Sequence, residues 1–272
     1  MNDVQQVIET IIQTNTTTYP SDYYCPYCGK HVPKMEIEVL GQKRMVQPVC
    51  QCEREREERF LKQAENYQRK KEIEKIFSIH NLGERFKKAT FDTFQVRTGT
   101  EKVLTLAKRY VEEFDKWKSE SLMFWGEPGN GKTHLAAAIA NELDARGKIV
   151  VFISMPELLE KIKSTFNKNS EETESDIMKA LLTCDLLILD DIGAEKVTDW
   201  VQEIVFRIID GRYRKEKPIL ATTNLEPKQL ASQIGKRAYD RLLEISQPIE
   251  NKGTSYRKEK AKERMAKYVR EM

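Results

Sequence analysis

The segment Gly-Glu-Pro-Gly-Asn-Gly-Lys-Thr at residues 126–133 decides the fold. It matches G-x-x-x-x-G-K-[ST], the pattern of a loop that wraps around phosphate groups. A short apolar run at 121–125 precedes the loop, and apolar residues at helical spacing follow it at 133–146. The loop is therefore predicted to join a buried strand to a helix, which is the setting that this pattern requires.

The residue types in the loop suit the phosphate groups of a nucleotide. Gly126, Gly129 and Gly131 let the backbone curl until its N–H groups point at phosphate oxygens, and the next helix adds its positive N-terminal end. Lys132 is predicted to reach the β- and γ-phosphates, and the Thr133 hydroxyl to bind Mg²⁺. The predicted nucleotide-binding residues are Gly126, Glu127, Pro128, Gly129, Asn130, Gly131, Lys132, Thr133 and His134.

Two carboxylates follow an apolar run farther along the chain. Leu-Leu-Ile-Leu at 186–189 is predicted to be a buried strand, and Asp190 and Asp191 come directly after it. In nucleotide hydrolases with this type of loop, the first such carboxylate supports the Mg²⁺ shell, so we assign Asp190 to the metal. The second can orient and deprotonate the attacking water, so we assign Asp191 as the base.

A third predicted strand, Ile-Leu-Ala-Thr-Thr at 219–223, ends at Asn224. The carboxyl ends of parallel strands meet at one crevice, so Asn224 is expected near the carboxylates, within reach of the attacking water or the γ-phosphate. A fourth strand, of β-branched and aromatic residues, is predicted at 149–154. Strands alternate with helical segments over this part of the chain, without hairpin signals between them. That order predicts an α/β fold with a parallel sheet covered by helices on both faces.

The composition narrows the class of protein. Hydrophobic residues make up 39% of the 272 and charged residues 33%, which is enough apolar material for a sizeable core. The longest apolar runs are far shorter than the roughly 20 residues of a membrane helix, and the first residues do not resemble a secretory leader. We therefore expect a cytoplasmic protein without a membrane partner. The net charge of +3 neither requires nor excludes nucleic acid.

Arginines beyond the third strand are candidates for contact with a γ-phosphate. Arg237 and Arg241 are four residues apart, on one face of a predicted helix, and Arg257 lies at the start of a basic C-terminal helix. Guanidinium groups stabilise the negative charge that builds up in phosphoryl transfer. The spacing alone is also compatible with a basic surface helix.

Together these segments resemble the AAA+ ATPases, and specifically the bacterial and phage helicase loaders of the DnaC and DnaI type, to which IstB-type transposition helpers are similar. The resemblance covers about residues 85–265 and is carried by GEPGNGKTHLAAAIA, LLILDDIGAE, ILATTN, RAYDRL and SYR. It implies a P-loop NTPase (AAA+) fold with ATP and Mg²⁺ as cofactors. It also implies that Arg241 is an arginine finger for a neighbouring subunit's nucleotide and that Arg257 contacts phosphate in its own subunit. Arg237 is a second candidate for either role.

Four of the five cysteines lie within one short segment. Cys25 and Cys28 form a Cys-x-x-Cys-Gly half-site, and Cys50 and Cys52 form a less regular Cys-x-Cys pair. Four thiolates suit tetrahedral Zn²⁺, and a module of about 30 residues needs the metal to fold because its core is too small. His31 is an alternative ligand. Reduced cysteines without metal and a redox pair are the other interpretations, and Cys184 is expected to pack in the core.

The chain is predicted to have three parts. Residues 1–75 form a small N-terminal zinc-binding module with a charged helix, 76–90 a linker, and 91–272 the AAA+ ATPase domain. Acidic and basic residues alternate at helical spacing over 53–76, which is typical of an exposed connector or of a docking helix. A leading cysteine module resembles that of DnaI-like loaders, in which the N-terminal domain docks on the replicative helicase.

The resemblance implies an ATP-dependent helicase loader with three kinds of partner: a hexameric replicative DNA helicase, single-stranded DNA, and further copies of the chain. A transposition helper of the IstB type, which acts on duplex DNA, is the alternative. A small-molecule kinase is disfavoured by the paired carboxylates and the two arginines. A nucleotide-binding adaptor that has lost hydrolysis is disfavoured because Lys132, Asp190 and Asp191 are all present.

Overall fold

The computed structural model describes residues 23–77, 86–167 and 171–270. The chain divides into two compact units, residues 1–69 and 70–272. Residues 1–22 of the predicted N-terminal module and 78–85 of the predicted linker lie outside the described residues. The predicted boundaries at 75 and 91 stay predictions.

The first unit contains a hairpin and the four clustered cysteines. Strands β1 (Met35–Val39) and β2 (Gln42–Val46) pair antiparallel across a tight turn, in which Gly41 has a φ of +74°. Within the described residues, the buried core of this unit consists of Cys25, Val32 and Cys50. Helix α1 (Gln51–Ile76) begins directly after Cys50 and contains the division between the units. So small a core makes a bound metal the expected source of folding free energy.

A five-stranded sheet forms the centre of the second unit. Its strands are β3 (Ser121–Trp125), β4 (Val150–Ser154), β5 (Leu186–Asp190), β6 (Ile219–Thr223) and β7 (Ser246–Glu250). They lie in the order β4-β5-β6-β3-β7, and every pairing is parallel. Four of the five were predicted from apolar runs. The fifth, Ser-Gln-Pro-Ile-Glu, was missed because it is polar and contains Pro248, which an edge strand tolerates.

Helices cover both faces of this sheet, as predicted. They are α2 (Glu101–Glu112), α3 (Phe114–Trp117), α4 (Lys132–Ala145), α5 (Met155–Ser164), α6 (Glu174–Thr183), α7 (Asp199–Arg214), α8 (Pro227–Ile234), α9 (Lys236–Ile245) and α10 (Tyr256–Arg270). Alternate strand residues point to opposite faces, so Leu187 and Leu189 pack in one hydrophobic cluster, and Leu186 and Ile188 in another. Among the described residues, no helix is long and apolar enough to cross a membrane.

The parallel arrangement brings the ends of distant segments to one edge of the sheet. Asp190 at the end of β5 is level with Ser154 of β4, and Trp125 at the end of β3 is level with Thr223 of β6. The phosphate loop follows Trp125 directly. The sheet therefore places this loop beside the carboxylates, although 56 residues of sequence separate them.

A fully buried arginine ties together the other ends of two strands. The guanidinium of Arg212, on α7, donates to the carbonyl oxygens of Leu181, Cys184 (3.2 Å) and Pro218 (2.7 Å). These carbonyls lie just before β5 and β6, the strands that end at the carboxylates and at Asn224. Arg212 thus fixes the starting positions of the two strands whose far ends carry the candidate site.

Replacing Arg212 with Met should destabilise the second unit strongly. The substitution removes the Arg212 donor from the buried carbonyls of Leu181 and Cys184, and each such group costs about 1–3 kcal/mol. The Pro218 carbonyl keeps only a long hydrogen bond, 3.4 Å, from the Leu187 N–H. We expect a loss of at least about 3 kcal/mol in the free energy of unfolding, measured by urea denaturation. Arg214→Met, on the same helix, removes an exposed side chain and should cost under about 1 kcal/mol. Equal losses for the two variants would contradict this account of Arg212.

Candidate functional site

A cleft of about 440 Å³ opens where the phosphate loop, the carboxyl ends of β5 and β6 and the start of α10 come together. Its volume falls within the usual range for small-molecule sites. Its lining residues are Phe86, Lys88, Ala89, Thr93, Phe94, Gln95, Arg97, Pro128, Gly129, Asn130, Gly131, Lys132, Thr133, His134, Asp190, Asp191, Thr222, Asn224, Tyr256 and Arg257. The predicted loop residues from Pro128 onward, both carboxylates, Asn224 and Arg257 therefore share one cleft.

The Lys132 side chain is almost completely buried at the base of this cleft. Its ammonium group donates to the carbonyls of Gly126 (2.8 Å) and Glu127 (3.0 Å) and to the side-chain oxygens of Asn130 (3.2 Å) and Asn224 (2.9 Å). Gly126 and Glu127, which are not among the lining residues, thus contribute through their backbone. A buried ammonium with four oxygen partners is held where an anionic ligand can reach it.

Burial lowers the pKa of Lys132 to about 8, although Asp191 and Asp190 favour its charged form. The proton on this lysine is therefore held less firmly than on an exposed lysine. A phosphate group in the cleft would favour the charged form and restore a higher pKa.

The two carboxylates have different surroundings. Asp190 is buried, and burial raises its pKa, against the opposing effect of hydrogen bonds from Thr222 and Thr133. The Thr222 hydroxyl donates to Asp190 at 2.6 Å and accepts from the backbone N–H of Asp191 at 3.0 Å. Asp191 has a φ of +57°, and its carboxylate accepts from the Asn224 amide at 2.6 Å. Thr222, which sequence reasoning did not single out, thus fixes both acidic residues.

Asn130 joins the phosphate loop to two segments that are remote in sequence. Its side-chain amide donates to the Asn251 carbonyl at 2.6 Å, and the Asn251 amide donates back to the Asn130 carbonyl at 3.2 Å. The same carbonyl accepts from the Arg97 guanidinium at 2.7 Å. The backbone N–H of Tyr256 donates to the Gly129 carbonyl at 2.9 Å. Sequence reasoning missed Asn251 and Arg97, because no motif marks a contact across 121 positions.

Two of the donor groups of Arg97, at the edge of the cleft, make no hydrogen bond with the described residues. Its Nε and Nη1 atoms are buried and have no hydrogen-bond partner among the described residues, while its guanidinium lies 5.5 Å from the Tyr256 ring centroid.

Near Arg97, His134 holds the loop before α2 in place. The His134 Nε2 atom lies 3.0 Å from the Thr90 carbonyl oxygen, and its ring lies 5.6 Å from the Phe94 ring. His134 therefore lines the cleft and also anchors one of its walls.

Arg241 lies outside the cleft of its own chain. Its Nη1 atom is 3.1 Å from Glu244 and its Nε atom 3.6 Å from Asp210, and its guanidinium lies 4.6 Å from the Tyr213 ring centroid. Arg237 lies over the Phe206 ring at 4.4 Å. Within one chain, then, neither arginine reaches the cleft carboxylates Asp190 and Asp191. The role predicted for Arg241 therefore depends on a second subunit.

The sulfur atoms of Cys25, Cys28, Cys50 and Cys52 lie within 4.8 Å of one another. Neighbouring sulfurs are separated by 3.4 Å between Cys25 and Cys52 and by 3.6 Å between Cys28 and Cys50. Four thiolates at about 2.3 Å from one Zn²⁺ in a tetrahedron would be about 3.8 Å apart, so this cluster could hold zinc. His31, the alternative ligand, is not part of the cluster and lies with its ring 5.1 Å from that of Tyr24.

Nucleotide affinity should fall as the pH rises above about 8. Above that pH, the Lys132 side chain of the nucleotide-free protein has lost its proton, and binding of phosphate must take the proton up again. Each further pH unit should weaken binding by up to about tenfold, measured by titrating a fluorescent nucleotide analogue between pH 7 and 9.5. Lys132→Arg keeps its charge over this range, so any binding it retains should not follow the same profile. A wild-type affinity that is constant up to pH 9.5 would contradict the prediction.

The chain and its fold have counterparts among known proteins. The profile of the family described as IstB-like ATP binding protein matches residues 52–264. The replicative helicase loader DnaC of Escherichia coli K12 is 32% identical over 206 residues, which are 75% of this chain and 79% of the loader. An uncharacterised Escherichia coli protein, YdaV, is 28% identical over 171 residues, 62% of this chain and 68% of its own length.

Solved structures agree with these relatives. The crystal structure of the DnaC helicase loader has a TM-score of 0.57 at 27% identity and covers 62% of this chain and 100% of its own. The structure of DnaI has a TM-score of 0.54 at 26% identity and covers 64% of this chain and 93% of its own. The chain therefore belongs to the family of IstB-like ATP-binding proteins, as an AAA+ ATPase of the group related to the helicase loaders DnaC and DnaI.

Proposed function

We propose that this protein is an ATP-dependent helicase loader. It binds a hexameric replicative DNA helicase and helps to place it on single-stranded DNA during replication initiation, with ATP binding and hydrolysis as the switch. The observation that carries the proposal is a cleft that brings together the phosphate loop, Asp190, Asp191, Asn224 and Arg257, in a chain that is 32% identical to DnaC over 75% of its length. The four-cysteine cluster ahead of the ATPase unit supports it, since such a module can serve as a separate docking element.

The residues of the cleft divide the work of hydrolysis among them. The Thr133 hydroxyl and the Asp190 carboxylate offer the hard oxygen ligands that Mg²⁺ prefers. A cation beside Asp190 would offset the desolvation cost of its buried negative charge. When bound, Mg²⁺ neutralises charge on the β- and γ-phosphates. Lys132 exchanges its carbonyl and amide partners for phosphate oxygens, and Arg257 approaches them from α10.

Asp191 is the proposed base for the attacking water. Its carboxylate is at the cleft surface, at the end of a buried strand, and the Asn224 amide fixes its orientation at 2.6 Å. The Asn224 oxygen also accepts from Lys132, so this one amide connects the phosphate-binding lysine to the base. Phosphate that draws Lys132 away leaves the Asn224 oxygen free to accept from the attacking water.

Asp191→Asn should retain ATP and lose turnover. The amide cannot accept the proton of the water, and such a loss lowers the rate by about 100-fold or more. ATP hydrolysis is measured by phosphate release, and retention of nucleotide by filter binding. Asp199→Asn, an exposed carboxylate at the start of α7, is the matched control and should hydrolyse at the wild-type rate. Full turnover by Asp191→Asn would remove this residue as the base.

Arg241 is proposed to act in trans, on ATP bound to a neighbouring subunit. Within its own chain it is held by Asp210 and Glu244 on the outside of α7 and α9, and it is 40% exposed there. A single subunit then lacks a guanidinium for the charge that develops on the γ-phosphate. Such an arginine contributes roughly 10³-fold or more in rate.

Mixing two inactive variants tests the arrangement in trans. Arg241→Ala and Lys132→Ala should each be inactive alone, and the mixture should recover part of the rate because some interfaces pair an intact ATP site with an intact arginine. If Arg241 is the finger, Arg237→Ala, on the same helix, should keep its activity. A mixture that stays inactive while both variants assemble, or normal hydrolysis by Arg241→Ala, would refute the assignment and make Arg237 the next candidate.

The zinc-binding module is proposed to dock on the helicase. Wild-type protein should contain one zinc per chain by elemental analysis and should capture a hexameric replicative helicase in an ATP-dependent way. Cys28→Ser should lose both the zinc and the capture of helicase while it still binds ATP. His31→Ala should keep the zinc, since His31 is outside the cluster. Zinc-free protein that still captures helicase would sink this role for the module.

A transposition helper of the IstB type remains the second candidate, because the matching family profile carries that name. The two candidates differ in partner and in nucleic acid. A loader binds helicase and prefers single-stranded DNA, whereas the transposition helper prefers duplex DNA and does not bind helicase. Duplex preference without helicase capture would favour the second candidate over the first.

A further inference from the structure

Helix α10 is the most strongly basic element of the second unit. Its 15 residues include seven basic and only two acidic side chains. Arg257, Lys260, Arg264 and Lys267 are three to four residues apart and share one face, which extends over about 15 Å. Every side chain from 261 to 269 is exposed. The helix therefore presents a long positive surface to solvent.

The two acidic residues of α10 do not neutralise this surface. Glu259 is engaged by the Thr254 hydroxyl, and Glu263 pairs with Lys260 at 2.7 Å. Lys258, Lys262 and Arg264 have no carboxylate partner among the described residues. Three unpaired positive charges on neighbouring turns are an unfavourable arrangement in isolation, and they favour a polyanion as the partner.

We propose that α10 is a contact surface for single-stranded nucleic acid. The inference rests on the proposed loader function and assigns the DNA contact to this helix. Exposed Tyr268 lies next to Lys267 and one turn from Arg264, so an aromatic ring is interleaved with the basic side chains. Unpaired bases stack on such rings while the phosphates follow the charges, and a duplex does not expose its base faces in this way.

The distribution of side chains on α10 favours nucleic acid over an anionic membrane. Lys258 and Lys262 lie on a different side of the helix from Lys260 and Arg264, so the charge surrounds the helix. Its exposed large apolar residues, Met265, Tyr268 and Val269, are confined to the last turns. A helix that lies in a membrane needs a continuous apolar face, usually with Trp, Phe or Leu, and α10 has none of these.

The start of α10 is packed against the phosphate loop. A methyl group on Gly129 would lie 2.5 Å from the Ser255 hydroxyl and 3.4 Å from the Arg257 side chain. The hydrogen bond from Tyr256 to the Gly129 carbonyl adds a fixed point at the same junction. Nucleotide in the cleft and DNA on the helix would therefore both contact elements that meet at this junction. By thermodynamic linkage, any effect of ATP on the affinity for DNA must be matched by an equal effect of DNA on the affinity for ATP.

Two triple variants of the full chain test the proposal. Lys258→Gln, Lys262→Gln and Arg264→Gln remove the unpaired charges of α10, and Lys102→Gln, Lys108→Gln and Lys116→Gln remove three exposed charges elsewhere on the same unit. Binding of a fluorescent oligo-dT is measured by anisotropy at several salt concentrations. The α10 variant should bind at least about tenfold more weakly, with a log–log salt slope shallower by about 2, and the control should change less than about twofold.

A single variant probes stacking. Tyr268→Ala should weaken oligo-dT binding without changing the salt slope, and Tyr268→Phe should restore it. Unchanged affinity and slope in the α10 triple variant would overturn the proposal, as would a selective loss of binding to phosphatidylserine vesicles or to helicase. Capture of helicase by the same protein distinguishes a failure of the α10 proposal from a failure of the proposed loader function. If capture is intact while α10 has no effect on DNA, the inference fails and the loader function stands; if wild type captures no helicase, the loader function fails whatever α10 binds.

Discussion

The burial of one positive charge, the Lys132 ammonium, constrains how the phosphate loop and the neighbouring strands are arranged. An ammonium removed from water must be surrounded by oxygen atoms, and here two come from the phosphate loop backbone, one from Asn130 and one from Asn224 at the end of another strand. That arrangement exists only if β3 and β6 are adjacent and in register, which the parallel pairing of Trp125 with Thr223 provides. Solvating this one side chain therefore requires the loop conformation and the strand pairing that also bring Asn224 beside Asp191.

The shape of the cleft depends on hydrogen bonds that join the phosphate loop to one segment before it and one segment far after it in the sequence. Asn130 exchanges two hydrogen bonds with Asn251 and accepts a third from Arg97, so the segments before α2 and after β7 are fastened to the phosphate loop. Each of these groups is held by a partner that comes from a different part of the chain. A ligand that shifts the loop therefore also acts on the start of α10, whose Tyr256 N–H donates to the Gly129 carbonyl.

The two units obtain their stability by different means. The ATPase unit has two large apolar clusters, one on each face of its sheet, and a buried arginine that fixes the starts of two strands. The cysteine unit has a buried core of only three described residues, which is too small to supply its folding free energy. Its four sulfurs lie close enough together that they could hold zinc. Metal binding would then decide whether the cysteine unit is folded.

The sequence by itself determined the local chemistry of this protein. The loop at 126–133, the carboxylates at 190 and 191 and the four cysteines each follow from residue types at short spacing, because the backbone geometry that they need is local. The apolar runs of β3, β4, β5 and β6 were equally legible, since strands buried on both faces must be apolar throughout. What only the tertiary structure decided is which distant groups complete the site. Thr222 between the two carboxylates, Asn251 and Arg97 on Asn130, the polar edge strand β7 and the position of Arg241 outside its own cleft carry no local signal, because each depends on a partner brought close only by the parallel packing of the sheet.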